Sequence, residues 1–291
     1  MPSMNDIRFH IRSIKQTRQI TNAMYLVSAS RMRKALRRIE QNREYFYRAL
    51  DTMKDIRVHT HVTSHPYLVH RPGGDKVAYV VIAGDKGLAG SYNHDVLALA
   101  EQSMRGKNVA RVFPVGNMAA AHFLRTGLHV NTNFTHIVEE PSVNTARRMV
   151  TILMSLYDEG IIDELHVIYT RFDNSLHQKP VDVKLLPVEL SDFQTDRDEH
   201  GFPGEMLYLP TAKDLFDALV PQFIIGYTYG AIVHAYASEN RMRMTAMENA
   251  TRSADEMTDK LTLRYNTMRQ LSITNELAEI VGAANAFELK G

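Results

Sequence analysis

Residues Ala231 to Val281 read AIVHAYASENRMRMTAMENATRSADEMTDKLTLRYNTMRQLSITNELAEIV, with no glycine and no proline. The run from Ser3 to His65 near the other end of the chain is equally free of them. Only three of the 15 glycines and 10 prolines lie outside the segment that separates the two runs. Because Gly and Pro are the residues that break helices, both runs are predicted to be long helices. We assign them to residues 1–65 and 213–291.

Both predicted helices carry the alternating four-and-three spacing of a coiled-coil seam. The N-terminal seam is Ile7, Ile11, Ile14, Arg18, Thr21, Tyr25, Ser28, Met32, Ala35 and Ile39. The C-terminal seam is Asn240, Met244, Met247, Thr251, Ala254, Thr258, Leu261, Tyr265, Met268 and Ser272. The simplest arrangement is an antiparallel pair. We expect Met24 beside Leu261–Met268 and the C-terminal helix to extend past the start of the N-terminal one. A second apolar stripe (Ile20, Met24, Val27) lies on another face.

Between the helices the pattern alternates strand and helix, which is typical of an α/β sheet with parallel pairing. Predicted strands are Val77–Ala83, Arg111–Val115, Leu165–Phe172 and Val181–Leu190. Predicted helices lie near Asp95–Met104, Met118–Arg125 and Val143–Tyr157. The sequence therefore predicts a Rossmann-like α/β domain over residues 76–190. Residues 191–212, rich in acids, glycine and proline, are predicted to be a mobile loop.

Composition limits the chemistry. The chain has no cysteine, which excludes disulfides and thiolate catalysis, and its longest clean apolar run, Val77–Ala83, is too short to span a membrane. The formal net charge is only +1.

The positive charge is concentrated near the N-terminus, where residues 1–48 carry eleven Lys and Arg against three acids. The densest part is Arg31, Arg33, Lys34, Arg37 and Arg38. Such a helix indicates an acidic partner: nucleic acid, anionic lipid or an acidic protein surface.

No active-site pattern emerges. The segment Gly84–Gly90 (GDKGLAG) sits between a strand and a helix, yet its spacing matches neither phosphate-binding template, so a tight turn that needs glycine dihedrals is the better interpretation. His59, His61, His65 and His70 form a loose cluster that lacks the flanking carboxylates of a zinc motif, and its role stays open. We expect no catalytic residue, no metal and no cofactor.

Three segments carry a family resemblance. They are IRSIKQTRQITNAMYLVSASRMRKA (11–35), the turn GDKGLAGSYN (84–93) and the C-terminal run SENRMRMTAMENAT (238–251), continued by LxxxYNxxRQxSITNELAEIV (261–281). Together they resemble the gamma subunit of F-type ATP synthases. The resemblance is strong at both termini and looser in the middle.

The resemblance implies a non-catalytic subunit that acts as a rotary shaft. Its two terminal helices would stand inside a ring of alpha and beta subunits, with the α/β domain beside the epsilon subunit on a membrane rotor ring of c subunits. Nucleotides would bind the ring and not this chain. The implied location is peripheral, on the cytoplasmic face of a bacterial plasma membrane, with the mitochondrial matrix side as the less favoured alternative.

The resemblance also implies contact residues. Those toward the alpha/beta ring are Met24, Arg31, Arg33, Lys34, Arg243, Arg269, Gln270, Thr274 and Glu276. Tyr208 would contact the rotor ring. Two alternatives from other classes stay open at this stage: a basic coiled-coil tether that binds nucleic acid, and a nucleotide-dependent α/β enzyme with helical extensions.

Overall fold

A computed structural model describes residues 3–60, 65–135, 137–138, 140–174, 177–189 and 211–288. The elements in chain order are α1 (Met4–Thr60), β1 (Lys76–Ile82), α2 (Tyr92–Met104), β2 (Asn108–Val115), α3 (Asn117–Phe123), α4 (Val143–Asp158), β3 (Glu164–Phe172), β4 (Gln178–Leu186) and α5 (Ala212–Glu288). The chain divides into two compact units, one of Ser28–Arg243 and one of Met1–Val27 with Met244–Gly291. Both long helices contribute residues to each unit.

The larger unit is built on a four-stranded sheet in the order β2-β1-β3-β4. Strand β1 pairs in parallel with β2 and β3, whereas β4 runs antiparallel to β3. Every residue of β1 after Lys76 is buried. Ala78, Val80 and Ile82 belong to a core that includes residues of α4 and α5, and the alternate residues of β1 face a second core with residues of α2 and α3. A strand covered on both faces reads as a continuous apolar run, so the predicted α/β architecture is confirmed.

Strand β4 differs from its predicted position. It spans Gln178–Leu186, three residues earlier at its start than the predicted Val181–Leu190. The alternation of side chains predicted a strand here but did not fix where pairing with β3 begins, which is at Gln178 opposite Phe172. The segment predicted to be a mobile loop lies, from Ser191 to Pro210, outside the described residues.

Within the larger unit, α1 and α5 pack antiparallel. The Asn42 side-chain amide donates to the Gly226 carbonyl over 3.1 Å, and the rings of Phe46 and Phe223 stack with centroids 5.1 Å apart. A Cβ atom at Gly230 would lie 2.8 Å from the Asn42 amide nitrogen, so the glycine permits this close approach. Helix α5 runs without interruption through Pro221, Gly226 and Gly230.

By length and composition α5 also contains a window of mean hydropathy 1.2, but 61% of that window is buried inside the protein, as expected of a core helix.

In the smaller unit, α1 and α5 again run antiparallel. The hydroxyls of Thr21 and Thr251 lie 2.7 Å apart, and Arg18 forms an ion pair with Asp255. Counted over both units, the predicted seam is confirmed: nine of the ten N-terminal seam positions and all ten C-terminal ones are buried or half-buried, Arg18 being the exposed exception.

The predicted register is wrong. Because Thr21 faces Thr251, Met24 lies one turn further along, beside residues near 248, and not beside Leu261–Met268. The error is about 13 to 20 residues, or roughly 20 to 30 Å of helix. A seam of small and polar residues repeats every seven positions, so several registers satisfy it equally. The threonine pair and the Arg18–Asp255 ion pair select one of them.

Candidate functional site

The predicted basic face is present on α1. Arg31, Arg33 and Lys34 are all exposed, and none of the three forms a salt bridge with another described residue. Further along the same helix, by contrast, Arg43 pairs with Glu40 and Arg48 pairs with Glu44. The charge of Arg31 reaches the buried Glu239 carboxyl, but no described carboxylate pairs directly with any of the three cations, so this face of α1 stays positive and suits an acidic partner.

In the smaller unit, the described residues leave much of the second apolar stripe of α1 exposed. Ile20 is 61% exposed and Val27 is 51% exposed, while Met24 between them is half-buried. Large apolar side chains that share one helix face and remain in water mark an interaction surface.

The end of α5 is exposed in the smaller unit. In the observed register Met4, the first residue of α1, falls opposite residues near 268, so α5 extends beyond the start of α1 as predicted. From Arg269 to Val281 only Ser272 is half-buried and every other residue is exposed. The exposed apolar residues here are Leu271, Ile273, Leu277, Ile280 and Val281. We call this segment, Arg269–Val281, the unpaired end of α5.

Four predicted contact residues lie on this unpaired end. Arg269, Gln270, Thr274 and Glu276 are all exposed, and the hydrogen bonds that the last three make with described residues are local. The Thr274 hydroxyl donates to the Gln270 backbone carbonyl over 2.9 Å, and the Ser272 hydroxyl donates to Glu276 over 3.2 Å. Their side chains are therefore available to a partner.

Arg243 has a different environment from the other predicted contact residues. Its side chain is buried, with 8% of the residue exposed, and one terminal nitrogen serves three acceptors. That nitrogen lies 2.5 Å from Glu239 Oε1, 3.2 Å from the Gly87 carbonyl and 3.4 Å from the Lys86 carbonyl. Arg243 thus joins α5 to the turn that follows β1.

Glu239 was assigned no role from the sequence, although its spacing from Arg243 places both side chains on one helix face. It is 5% exposed. Burial raises the pKa of the Glu239 carboxyl, and this effect outweighs the opposing attraction of Arg243 and of Arg31. The hydroxyl of the buried Tyr92 is near enough for the negative charge of Glu239 to add to the burial that raises the pKa of Tyr92.

The turn itself, residues 84–90, is tightly organised. The Gly84 amide donates to the Asn93 side chain over 2.8 Å, and the Asn93 amide donates back to the Lys86 carbonyl over 3.3 Å. Leu88 and Gly90 have φ angles of +62° and +59°. The predicted tight turn with glycine dihedrals is confirmed.

This geometry is unsuited to phosphate. A phosphate-binding loop points free backbone N–H groups at its ligand. Here the turn presents the Lys86 and Gly87 carbonyls to Arg243, and the Glu239 carboxylate packs against Gly84, where an added Cβ atom would meet Oε1 at 2.9 Å. An anion would meet the negative charge of Glu239, and the Gly84 amide is already bonded to Asn93.

The remaining predicted residues can be placed only in part. Among the described residues no group of His, Asp and Glu side chains has the arrangement of a metal site. His65 instead pairs with Asp217 over 3.0 Å and His70 with Glu189 over 3.1 Å. The side chains of His59 and His61, and the whole of Tyr208, lie outside the described residues.

Comparison with known proteins identifies relatives along the whole chain. A family model described as ATP synthase matches residues 3–287. The ATP synthase gamma chain of Ruminiclostridium cellulolyticum is 39% identical over 291 residues, covering 98% of this chain and 99% of that one. The ATP synthase gamma chain of Acetivibrio thermocellus is 37% identical over 295 residues, covering 99% and 100%.

Solved structures resemble the fold. A chain of the Euglena gracilis mitochondrial ATP synthase, in an OSCP/F1/c-ring structure, has a TM-score of 0.65 at 17% identity and covers 98% of this chain and 94% of its own. A chain from the central stalk and c-ring of the Tetrahymena thermophila mitochondrial ATP synthase has a TM-score of 0.57 at 22% identity, covering 79% and 99%. At these identities the likeness concerns the fold. None of these relatives supports the nucleic-acid-binding alternative.

Proposed function

Because the chain belongs to the ATP synthase gamma chain family, we propose that it is the central rotary shaft of an F-type ATP synthase. In this role it couples proton flow through a membrane rotor to ATP synthesis or hydrolysis in a surrounding alpha/beta ring. Its partners are the alpha and beta subunits, the epsilon subunit and the c subunits of the rotor ring. The chain contributes no catalytic residue and binds no nucleotide or cofactor.

The observation that carries this proposal is the unpaired end of α5. Apolar side chains such as Leu271, Leu277 and Ile280, each more than half exposed, would be costly to leave in water over so long a segment. A ring of subunits that encloses the helix would cover them on all sides. The exposed Arg269, Gln270, Thr274 and Glu276 would supply directional polar contacts to the same ring.

The coupling of rotation to ATP synthesis or hydrolysis then follows from the asymmetry of the paired helices. The two paired helices present different side chains in each direction, so a subunit at one angle meets a different surface from a subunit at another. A surface that contacts open and closed subunits unequally shifts their equilibrium by the difference in contact free energy. Arg31, Arg33 and Lys34 are proposed to steer an acidic surface of the ring, and Met24 to contact it.

The proposed location is peripheral, on the cytoplasmic face of a bacterial plasma membrane. The larger unit would stand on the c subunits, with Tyr208 as the proposed contact, and beside the epsilon subunit. The support is that the curated relatives covering nearly the whole chain are bacterial gamma chains.

Charge reversal in the assembled complex tests the proposal. Exposed ion pairs contribute about 0–1 kcal/mol each, so single alanine replacements of Arg31, Arg33 or Lys34 should barely alter ATP turnover. Replacing all three with glutamate should lower turnover at low salt, because like charges would then meet in every rotary state. Added salt should reduce the deficit by screening.

The matched control reverses three exposed arginines of the larger unit that the proposal does not use: Arg105, Arg125 and Arg148. Turnover of the control complex should equal that of the parent. If the Arg31/Arg33/Lys34 reversal leaves turnover unchanged at low salt, the steering role is wrong. If the parent chain itself does not assemble with alpha and beta subunits into an active complex, the shaft function is wrong.

A further inference from the structure

Arg243 contacts the 84–90 turn from inside the protein, whereas a residue that binds a partner would be exposed. The guanidinium is buried within the chain itself, and its charge is balanced by the buried Glu239. Two backbone carbonyls, those of Lys86 and Gly87, accept from the same nitrogen that binds Glu239. A buried charge is tolerated only when it is paired and hydrogen-bonded, and this arrangement satisfies both conditions.

The turn that receives Arg243 is itself connected to the sheet. The Gly84 carbonyl accepts from the Met118 amide over 3.1 Å, and the Asp85 side chain accepts from the Asn117 amide over 2.9 Å. Both donors stand at the start of α3, after β2. Because Gly84 follows β1 almost directly, the turn is fixed to the ends of two adjacent parallel strands.

Leu88 at the tip of the turn is conformationally strained. Its φ angle of +62° is unusual for a residue with a branched side chain, and that side chain is 64% exposed. Such a conformation persists only where the surroundings impose it. Arg243, through the neighbouring Gly87 carbonyl, supplies one of these constraints, and the Asn93 side chain supplies another.

We infer that Glu239 is a positioning residue that acts through Arg243, and that together they clamp the 84–90 turn to α5 so that the sheet follows α5 when the shaft turns. This inference rests on the proposed rotary function. It gives Arg243 a role inside the chain, in place of the ring contact that the family resemblance implied.

Three substitutions open the clamp by different routes. Glu239→Gln removes the charge that orients the guanidinium while preserving side-chain shape. Arg243→Lys keeps the positive charge, but its ammonium nitrogen stands one bond closer to the backbone than the terminal nitrogen of arginine, so it reaches the carboxylate and the two carbonyls less closely. Gly84→Ala leaves both charges in place and pushes a methyl group against Glu239 Oε1, at 2.9 Å in the present geometry. The control is Glu159→Gln, a matched change at an exposed residue after α4.

Amide hydrogen exchange in the full chain measures the clamp directly. The Gly84 amide, bonded to Asn93, should exchange at least about tenfold faster in each of the three variants than in the parent or the Glu159→Gln control. The amides of β3, which lie away from the turn, should be unaffected. Equal exchange of Gly84 in parent and variants would show that Arg243 does not hold the turn.

Proton transport by the assembled complex measures the consequence. Complexes with each variant should still hydrolyse ATP, but protons moved per ATP should fall below the values of the parent and the Glu159→Gln complexes, because a turn of α5 that the sheet does not follow moves no protons. In the Glu239→Gln/Arg243→Lys double variant the loss should be smaller than the sum of the single losses, because one clamp is broken twice. A merely structural pair would lower thermal stability and leave protons per ATP unchanged, which would overturn the inference. The parent complex serves as the separate check on the shaft function, since its pumping does not depend on the clamp hypothesis.

Discussion

His234 on α5 should make the attachment of α5 to the sheet sensitive to acid. Its Nδ1 accepts a hydrogen bond from the Phe172 amide at the end of β3 over 3.3 Å. An acceptor nitrogen carries no proton, so this contact requires the neutral ring. Burial, helped by the charge of Arg171, lowers the pKa of His234 from 6.5 to about 4.

The direction in which stability changes with pH follows from proton binding to the folded and unfolded chains. Between pH 6.5 and about 4 the unfolded chain carries a proton on His234 and the folded chain does not. The stability that His234 contributes is therefore present above pH 6.5 and is lost as the pH falls toward 4. At about 1.36 kcal/mol for each unit of pKa, the loss is about 2 kcal/mol near pH 5 and about 3 kcal/mol near pH 4.

The assay compares the parent chain with His234→Asn by urea unfolding, followed by circular dichroism, from about pH 7 to about pH 4. Asparagine places an oxygen near the position of Nδ1, so it can still accept from the Phe172 amide, but it does not titrate. Carboxylates that titrate in the same range are common to both chains and cancel in the difference.

We expect the parent to lose about 2 kcal/mol relative to His234→Asn between pH 7 and pH 5. The exposed His94 on α2 supplies the control substitution, His94→Asn, which removes a histidine from solvent and not from the contact with β3. A parent-minus-variant difference that stays constant across this range would refute the reasoning, since it would mean that His234 is equally easy to protonate in both states.

Two further predictions concern the helix register and nucleotide binding. Because the chain contains no cysteine and the Thr21 and Thr251 hydroxyls are 2.7 Å apart, Thr21→Cys with Thr251→Cys should form a disulfide under mild oxidation, seen as a mobility shift on a non-reducing gel. The pair Met24→Cys with Met268→Cys should not, and the reverse result would restore the register expected from the seam. The isolated chain should bind no ATP in equilibrium dialysis, because the 84–90 turn offers carbonyls and a carboxylate where a phosphate needs donors. Micromolar binding would contradict this.

Much of the fold could be predicted from local pattern. The absence of Gly and Pro located both long helices, and the seam positions identified which of their faces are buried. The run Val77–Ala83 was recognisable as a strand because it is apolar, rich in β-branched residues and followed by glycine. These properties depend on neighbours within a few residues, which a sequence displays directly.

The candidate site was predictable only for exposed residues. Arg31, Arg33, Lys34 and the polar residues of the unpaired end of α5 lie in the solvent where the helix pattern put them. Arg243 could not be placed correctly, because its burial depends on a turn more than 150 residues earlier in the chain. Glu239 carried one usable signal, its four-residue spacing from Arg243, but a solvated surface pair shows the same spacing.

The sequence by itself determined which segments are helix or strand and which helix faces seek a partner, because propensity and periodicity are local. Only the tertiary structure decided the register of α1 against α5 and the use of Arg243. A seven-residue repeat matches itself at every shift of seven, so the repeat holds no information about register. Single contacts decide both features: Thr21 with Thr251 sets the register, and the Lys86 and Gly87 carbonyls hold Arg243. The partners in these contacts are distant in sequence and become adjacent only after folding.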